Sequence, residues 1–485
     1  MLERIIIVGS GVAGIFSAIE LINKGLDGKN ITIIDKGNFI EKRHCFTNKD
    51  TACKKCKTCN LLCGIGGGGG AFNDGKVSLI DKKHPNSPMI GGKLIEYHSI
   101  EELEKLSNRV LEIYNEFGMK DMDVEFLGDN LDIEGKKVLE KMKNSNNFTV
   151  AENKMFHVGS DRSRIIYKNM QDYLINNGVN FILKSSLTDL IIENNVCKGI
   201  IIDNKYSLYA DKVILALGRY GNALLGDLIN KYNIDKKNGS IDIGVRIEVP
   251  TKIMLPLKSF YELKAYFRGS YNDEARIFCY NRERAWVVNE KYDIGGETFV
   301  TVNGHAYNSE DKRTDIDNFA ILVKKEFDDS LKEPIDDYVL PMVKMMNALG
   351  EGGSICQTFY DLVNFRRTTE ETIKLCSIKP TLKAYYGDLS NVLPYRILNT
   401  IIEMIYALDE FTPGIAQGNN TILHGVECKL HSNGIKVENG NGKTSVKNLY
   451  AIGDCTSLTR GIVQSASMGI LCGNEIIKSR DKNDI

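Results

Sequence analysis

Ile5-Ile6-Ile7-Val8-Gly9-Ser10-Gly11-Val12-Ala13-Gly14 is the stretch that decides the fold of this chain. Four β-branched apolar residues in a row read as a buried strand of a parallel sheet. Three glycines follow at once, and Ile15, Ala18, Ile19, Leu21 and Ile22 then keep helical spacing. Gly9 permits the tight turn, Gly11 lets backbone approach a pyrophosphate, and Gly14 allows close helix–strand contact. Val12 and Ala13 stand at the helix start, whose unpaired N–H groups and positive dipole end favour a phosphate. A second strand, 30–34, runs into Asp35, which lies 21 residues after Gly14 and has Lys36 beside it. That is the place for an acid that hydrogen-bonds ribose hydroxyls. A glycine turn in an unrelated α/β chain would not need strand, glycines, helix, strand and acid in this register. The unit is predicted to bind a dinucleotide.

Further along, 210–218 reads Ala-Asp-Lys-Val-Ile-Leu-Ala-Leu-Gly, a strand ending in a glycine turn at Gly218. Near the end, 447–454 reads Lys-Asn-Leu-Tyr-Ala-Ile-Gly-Asp, and Thr459-Arg460-Gly461-Ile462 then opens a helix rich in small residues. These segments resemble the two later FAD signatures of the glutathione-reductase-like flavoprotein superfamily. The resemblance implies that Gly453 and Asp454 contact the ribityl or phosphate region and that the helix at Gly461 and Ile462 points at the flavin. The expected cofactor is therefore FAD. No second GxGxxG unit is visible, so a separate nicotinamide domain is not expected. Electrons would come from another protein, from NAD(P)H bound transiently, or from the substrate.

The cysteines are unevenly spread. Of twelve, five fall between positions 45 and 63, at Cys45, Cys53, Cys56, Cys59 and Cys63. C-x2-C-x2-C-x3-C is the spacing of bacterial ferredoxins, although Gly64 stands where those proteins have proline. A [4Fe–4S] cluster on Cys53, Cys56, Cys59 and Cys63 is one reading. Zinc is a second, disfavoured because its all-cysteine sites pair two knuckles well apart in sequence. A third is redox thiol chemistry at Cys59 or Cys63, with Lys54, Lys55 and Lys57 favouring thiolate. The glycine run Gly66 to Gly70 follows. Each glycine costs about 1 kcal/mol relative to alanine in a helix, so no regular element is expected there. Backbone lying flat against a cofactor, with Gly66, Gly67 and Gly68 as contacts, fits such a run.

This N-terminal block and the C-terminal NLYAIGDCTSLTRGIVQSA resemble a broad family of FAD-dependent dehydrogenases. So do His157-Val-Gly159-Ser160-Asp161-Arg162, Asp242 to Pro250, Val302-Asn303-Gly304-His305 and His424-Gly425-Val426-Glu427. The likeness spans nearly the whole chain, departing at Cys63 and Ser160 and in its five unbroken glycines. It implies a flavoprotein fold and names no substrate.

Composition bounds the rest. The 485 residues are enough for more than one packed unit. Acidic and basic residues nearly cancel, 63 against 62, and no basic tract stands out, so neither nucleic acid nor a membrane is expected as a partner. No apolar run approaches the ~20 residues needed to span a bilayer. A strand begins within a few residues of Met1 with no cleavable leader before it, which leads us to expect a cytoplasmic location.

The predicted fold is α/β: a Rossmann-type FAD-binding domain, parallel sheet plus β-meander, with an inserted α+β substrate domain. We place FAD-binding parts at 1–90, 151–243 and 422–485, a helical insertion or side lobe at 91–150, and the substrate domain at 244–421. In the first of these insertions, Ser99 and Glu102 form a capping box. In the second, helices are expected at 315–327 and 395–408. Candidate catalytic groups are His305 and Tyr307, a proton donor pair beside a turn. Arg366-Arg367 could hold a carboxylate or phosphate, while Cys279 and Arg246 lie in strands. The expected function is an FAD-dependent oxidoreductase acting on a small organic substrate, with the cluster, where present, relaying electrons from a ferredoxin-like partner. A flavin-dependent thiol–disulfide reductase using Cys59 and Cys63, and a non-catalytic or RNA-associated flavin protein, remain as alternatives.

Overall fold

The structure is a computed structural model that describes residues 3–44, 56–72, 75–122, 124–127, 131–152, 154–260, 263–283, 285–294, 297–306, 313–327, 336–430 and 433–481. In chain order the principal elements are β1 (Ile5–Val8), α1 (Val12–Asn23), β2 (Ile31–Asp35), α2 (Gly67–Ala71), β3 (Asn180–Leu183), β4 (Lys212–Leu215), β5 (Ser240–Pro250), β6 (Ala285–Ile294), β7 (Glu297–Ala306), β8 (Ile316–Glu326), α3 (Phe359–Val363), α4 (Tyr395–Asp409), β9 (Ile422–Leu430), β10 (Leu449–Ala451) and α5 (Ile462–Asp481). The chain divides into two compact units. One comprises 1–127, 153–239 and 433–485, the other 128–152 and 240–432. Residues 91–150 contribute the helix Ile100–Glu116 to the first unit and the helix Ile133–Lys143 to the second.

In the first unit five strands form a parallel sheet in the order β10-β4-β1-β2-β3. Ile5, Ile6, Ile7 and Val8 are all buried, as parallel strands covered on both faces must be. α1 packs its small residues against α5: a Cβ on Gly469 would collide with the backbone of Ala13 and Ser17. A three-stranded antiparallel sheet, Leu187–Glu193, Val196–Ile202 and Tyr206–Tyr209, stands between β3 and β4 in sequence. The capping box forms: Ser99 N–H donates to the Glu102 carboxylate at 2.9 Å and Glu102 N–H donates to Ser99 Oγ at 3.3 Å.

The second unit is built on an eight-stranded sheet in which β5 runs antiparallel between β9 and β8. Every residue of β5 is buried. Ile241, Ile243, Val245, Ile247 and Val249 join the apolar core with α4, while Asp242, Arg246 and Glu248 alternate with them and are also 0% exposed. One sheet face is thus hydrocarbon and the other a buried polar layer.

Two expectations are corrected. Residues 315–327 are not a helix but strand β8, buried from Ile316 to Val323. A short continuous apolar run buried on both faces has no periodicity to tell helix from strand. The glycine run also forms a regular element, the one-turn helix α2. Packing decides it, because a Cβ on Gly66 or Gly70 would press within 3 Å of the Tyr167 ring. The backbone entropy lost by glycine is offset by a close approach that no larger residue could make. Among the described residues no helix is long and apolar enough to cross a membrane.

Candidate functional site

The predicted dinucleotide residues meet at one end of the parallel sheet. Gly9 follows β1 with φ at +108°, and a Cβ there would overlap the backbone of Ala216 beyond β4. A Cβ on Gly14 would overlap the carbonyl oxygen of Gly9, so α1 can start this close to β1 only with glycine. Gly11 differs, since a Cβ built on it meets nothing within 4 Å. Its side faces open space.

Asp35 closes the turn from the next strand. Ser10 N–H and Ser10 Oγ–H both donate to one carboxylate oxygen at 2.8 Å, and Gly37 N–H donates to the other at 2.7 Å. Three donors leave part of a carboxylate's acceptor capacity free. Ribose hydroxyls could use it. Lys36 lies over the Tyr220 ring, 3.7 Å from its centroid.

The glycine helix lies against the same turn. Gly66 N–H donates to the Ser10 carbonyl at 2.7 Å, and a Cβ on Gly67 would stand 3.4 Å from Gly11 Cα. Gly69, like Gly11 and Gly218, has nothing within 4 Å of a built Cβ. Two residues past β4, Leu217 N–H donates to Cys455 Sγ at 3.1 Å, which ties the segments after β4 and β10 together beside Gly218 and Gly453. Gly453 has φ at +66°, and a Cβ there would lie 3.1 Å from the Ala13 methyl. Asp454 follows, 3.8 Å from Arg219 Nε. Burial holds its carboxyl above the usual range, with Arg219 and Arg460 opposing. Gly461 crosses Gly91, whose carbonyl accepts from Arg460 N–H at 2.7 Å and Gly461 N–H at 2.8 Å. The start of α5 at Ile462 is so fixed next to the site. Gly11, Val12, Asp35, Gly67, Gly68, Gly218, Asp454, Gly461 and Ile462 are each half-buried. A partly exposed rim around open space over glycine backbone fits a dinucleotide's pyrophosphate.

Arg43 was not anticipated. Its side chain is 0% exposed. It donates to the carbonyls of Asn60 and Leu61 at 2.8 Å each, Gly67 at 3.1 Å, and Ile65. The guanidinium also lies over the Phe72 ring, 4.2 Å from its centroid. Burial lowers its pKa to about 10. One planar donor fork therefore sets the path of the chain from Asn60 to Gly67. Only its position after β2 could have hinted at this, and position alone does not reveal a carbonyl cluster.

Of the predicted metal ligands, Cys53 lies outside the described residues. Cys56 is exposed, Cys59 half-buried and Cys63 buried. Burial pushes the Cys63 thiol up to about 11. Among the described residues no group of three His, Cys, Asp or Glu stands close enough to hold a metal ion. Lys54 and Lys55 likewise lie outside.

The catalytic candidates belong to the second unit. His305 pairs with Trp286 in the register of β6 and β7, but its side chain and all of Tyr307 lie outside the described residues. Arg366 is bound to Asp361 at 2.6 Å, so it is not a free anion clamp. Arg246 is fully buried and bidentate to Glu427 at 2.8 and 2.9 Å, with further bonds to Asn303, Asn318 and the Cys279 carbonyl. Its donors are taken within the protein, a structural role. Next to it, His424 Nε2 lies 2.7 Å from Glu248, which also accepts from Thr381. In the sequence His424 and Glu427 stand out only through the family likeness.

No protein-family model matches the chain, and no curated protein matches it. Similar solved structures include the FrdA subunit of E. coli quinol fumarate reductase, at 10% identity over 98% of this chain and 70% of that one, with a TM-score of 0.42. Glycine oxidase from Bacillus cereus is 13% identical over 98% of this chain and 95% of its own, TM-score 0.32. The flavin-dependent brominase Bmp2 is 12% identical over 97% and 76%, TM-score 0.37. Likeness this distant does not assign an activity.

Proposed function

We propose that this chain is an FAD-dependent oxidoreductase acting on a small organic substrate. The observation that carries the reading is the open space over Gly11, beside Ser10, which donates to Asp35. Gly9, Gly11 and Gly14, with Val12 and Ala13 at the start of α1, would hold the pyrophosphate. Asp35 and Lys36 would hold the adenosine ribose, and Gly453 and Asp454 the ribityl end. Gly66 to Gly68 and the start of α5 at Gly461 and Ile462 would line the path between. FAD supplies the two-electron redox chemistry when bound. The protein's part would be to bind and orient it, with Asp454 contacting the ribityl end and the glycine helix that Arg43 shapes lying along it.

In the second unit, His305 and Tyr307 stay our candidates for proton donation to substrate. A [4Fe–4S] relay would draw on Cys53, Cys56, Cys59 and Cys63 and take electrons from a ferredoxin-like donor. The test is a visible spectrum of the anaerobically purified full chain, with flavin extraction and with iron and acid-labile sulfide assays. Bound FAD lost in Gly11→Val supports the core reading. A chain that binds AMP-containing dinucleotides but never FAD would sink it. FAD without iron removes the relay alone.

A further inference from the structure

Phe365 is the most exposed large apolar side chain of the described residues, at 95%, and its backbone has φ at +57°. It ends helix α3. Phe365 N–H donates to the Leu362 carbonyl at 3.1 Å and Arg366 N–H to the Asp361 carbonyl at 3.0 Å. Those two bonds are a Schellman turn, whose left-handed position ordinarily takes glycine. A bulky residue there is an outlier. Folding gains nothing from this ring: it is strained at its backbone and bare to water. Such an outlier points towards function.

Its surroundings say which kind. Arg366 lies over the Tyr360 ring, 4.9 Å from its centroid, and Arg367 over the Tyr385 ring at 5.6 Å. Arg367 donates to the Tyr385 hydroxyl at 3.3 Å and the Tyr386 carbonyl at 3.2 Å. Both acceptors are neutral, so its charge is uncompensated among the described residues. Tyr360 and Tyr385 are themselves 41% and 38% exposed. Residues 360–386 hold five basic side chains against three acidic ones, and one of those acids, Asp361, is buried under Arg366. In the linear sequence they are interleaved with Glu370 and Glu371, which is why no basic tract stands out.

We propose that Tyr360, Phe365, Arg366, Arg367 and Tyr385 form an interfacial patch that docks the chain onto an anionic lipid surface. Phe365 enters the acyl boundary, Arg367 meets a headgroup phosphate, and the tyrosines lie at the interface with Arg366, which stays paired to Asp361. A lipid surface is favoured over a protein because the ring is almost wholly bare and stands two residues from Arg367, whose charge anionic headgroups complement. A bilayer yields to a knob, whereas a protein must offer a matching pocket.

The test is co-sedimentation of the full chain with vesicles of phosphatidylglycerol and phosphatidylcholine, and with phosphatidylcholine alone. We expect binding to the anionic vesicles that weakens with salt. Phe365→Gly should lower it about tenfold, the size expected for losing most of one phenylalanine's burial. Arg367→Gln should lower it about fivefold, as one lost interfacial charge implies. Phe365→Gly should melt no lower than the native chain, since glycine suits the turn. Phe365→Trp should give a blue-shifted emission with anionic vesicles, over a background of Trp286 alone. No binding to anionic vesicles, or binding indifferent to both Phe365→Gly and Arg367→Gln, overturns the proposal. So does a chain that ignores vesicles but loses a protein partner through Phe365→Gly.

Discussion

Gly11→Ala and Gly14→Ala each add a single methyl group, yet should fail in different ways. At Gly14 the new methyl would overlap the Gly9 carbonyl oxygen and stand 3.2 Å from its carbon and 3.3 Å from Ile7 Cγ2. Both β1 and α1 would have to shift, and overpacking of this kind costs about 1–3 kcal/mol. At Gly11 the methyl meets no protein atom within 4 Å, and the backbone at φ −69° and ψ −172° suits any residue. The apoprotein should lose no more than about 1 kcal/mol, the difference between glycine and alanine before a helix. On the proposed FAD placement the methyl would stand where the pyrophosphate approaches. Loss of one charge-assisted backbone bond, about 1.5–3 kcal/mol, corresponds to roughly 10²-fold in affinity. Urea titration of the apoproteins followed by fluorescence, and calorimetric titration with FAD, separate the two effects. Gly11→Ala binding FAD within about threefold of native, or unfolding as readily as Gly14→Ala, would refute the placement of the phosphate.

Two more predictions concern the same unit. Arg43→Met should leave four carbonyls without their donor and speed amide exchange at Ile65 and Gly67 by about 10²-fold, as a local loss near 3 kcal/mol requires; exchange unchanged at those amides would show that the loop holds itself. Asp454 titrates above its ordinary 3.8 in the folded apoprotein. The unfolded chain therefore releases this proton first, and stability falls as pH rises from about 4 through the folded value. Asp454→Asn should make the apoprotein more stable at neutral pH, with the gain gone below pH 3.8; melting curves at the two pH values decide it.

How far the site was legible depends on whether its parts are local. Gly9 to Gly14, the apolar strand before them and Asp35 lie within one β–α–β unit, so spacing alone relates them, and the structure brings Asp35 onto Ser10. Gly453 and Asp454 were reached through likeness, and the sheet order places β10 next to β4. The Arg43 cluster could not be foreseen. Its acceptors are main-chain carbonyls, which carry no residue identity. The Gly91–Gly461 crossing joins segments some 370 residues apart. β8 reads as a helix in sequence because burial on both faces erases the periodicity that separates helix from strand.

By itself the sequence determined where the Gly9–Gly14 turn forms, because hydrophobic period, glycine and acid are features of neighbouring residues. Tertiary structure alone decided which glycines are filled by protein and which stay open, that the glycine run closes into a turn of helix, and that Arg246 is spent on Glu427. Those outcomes rest on distances between remote segments, set by packing and by the need to pair every buried charge. The opening stretch keeps its role, and Gly11 is its one glycine that faces open space.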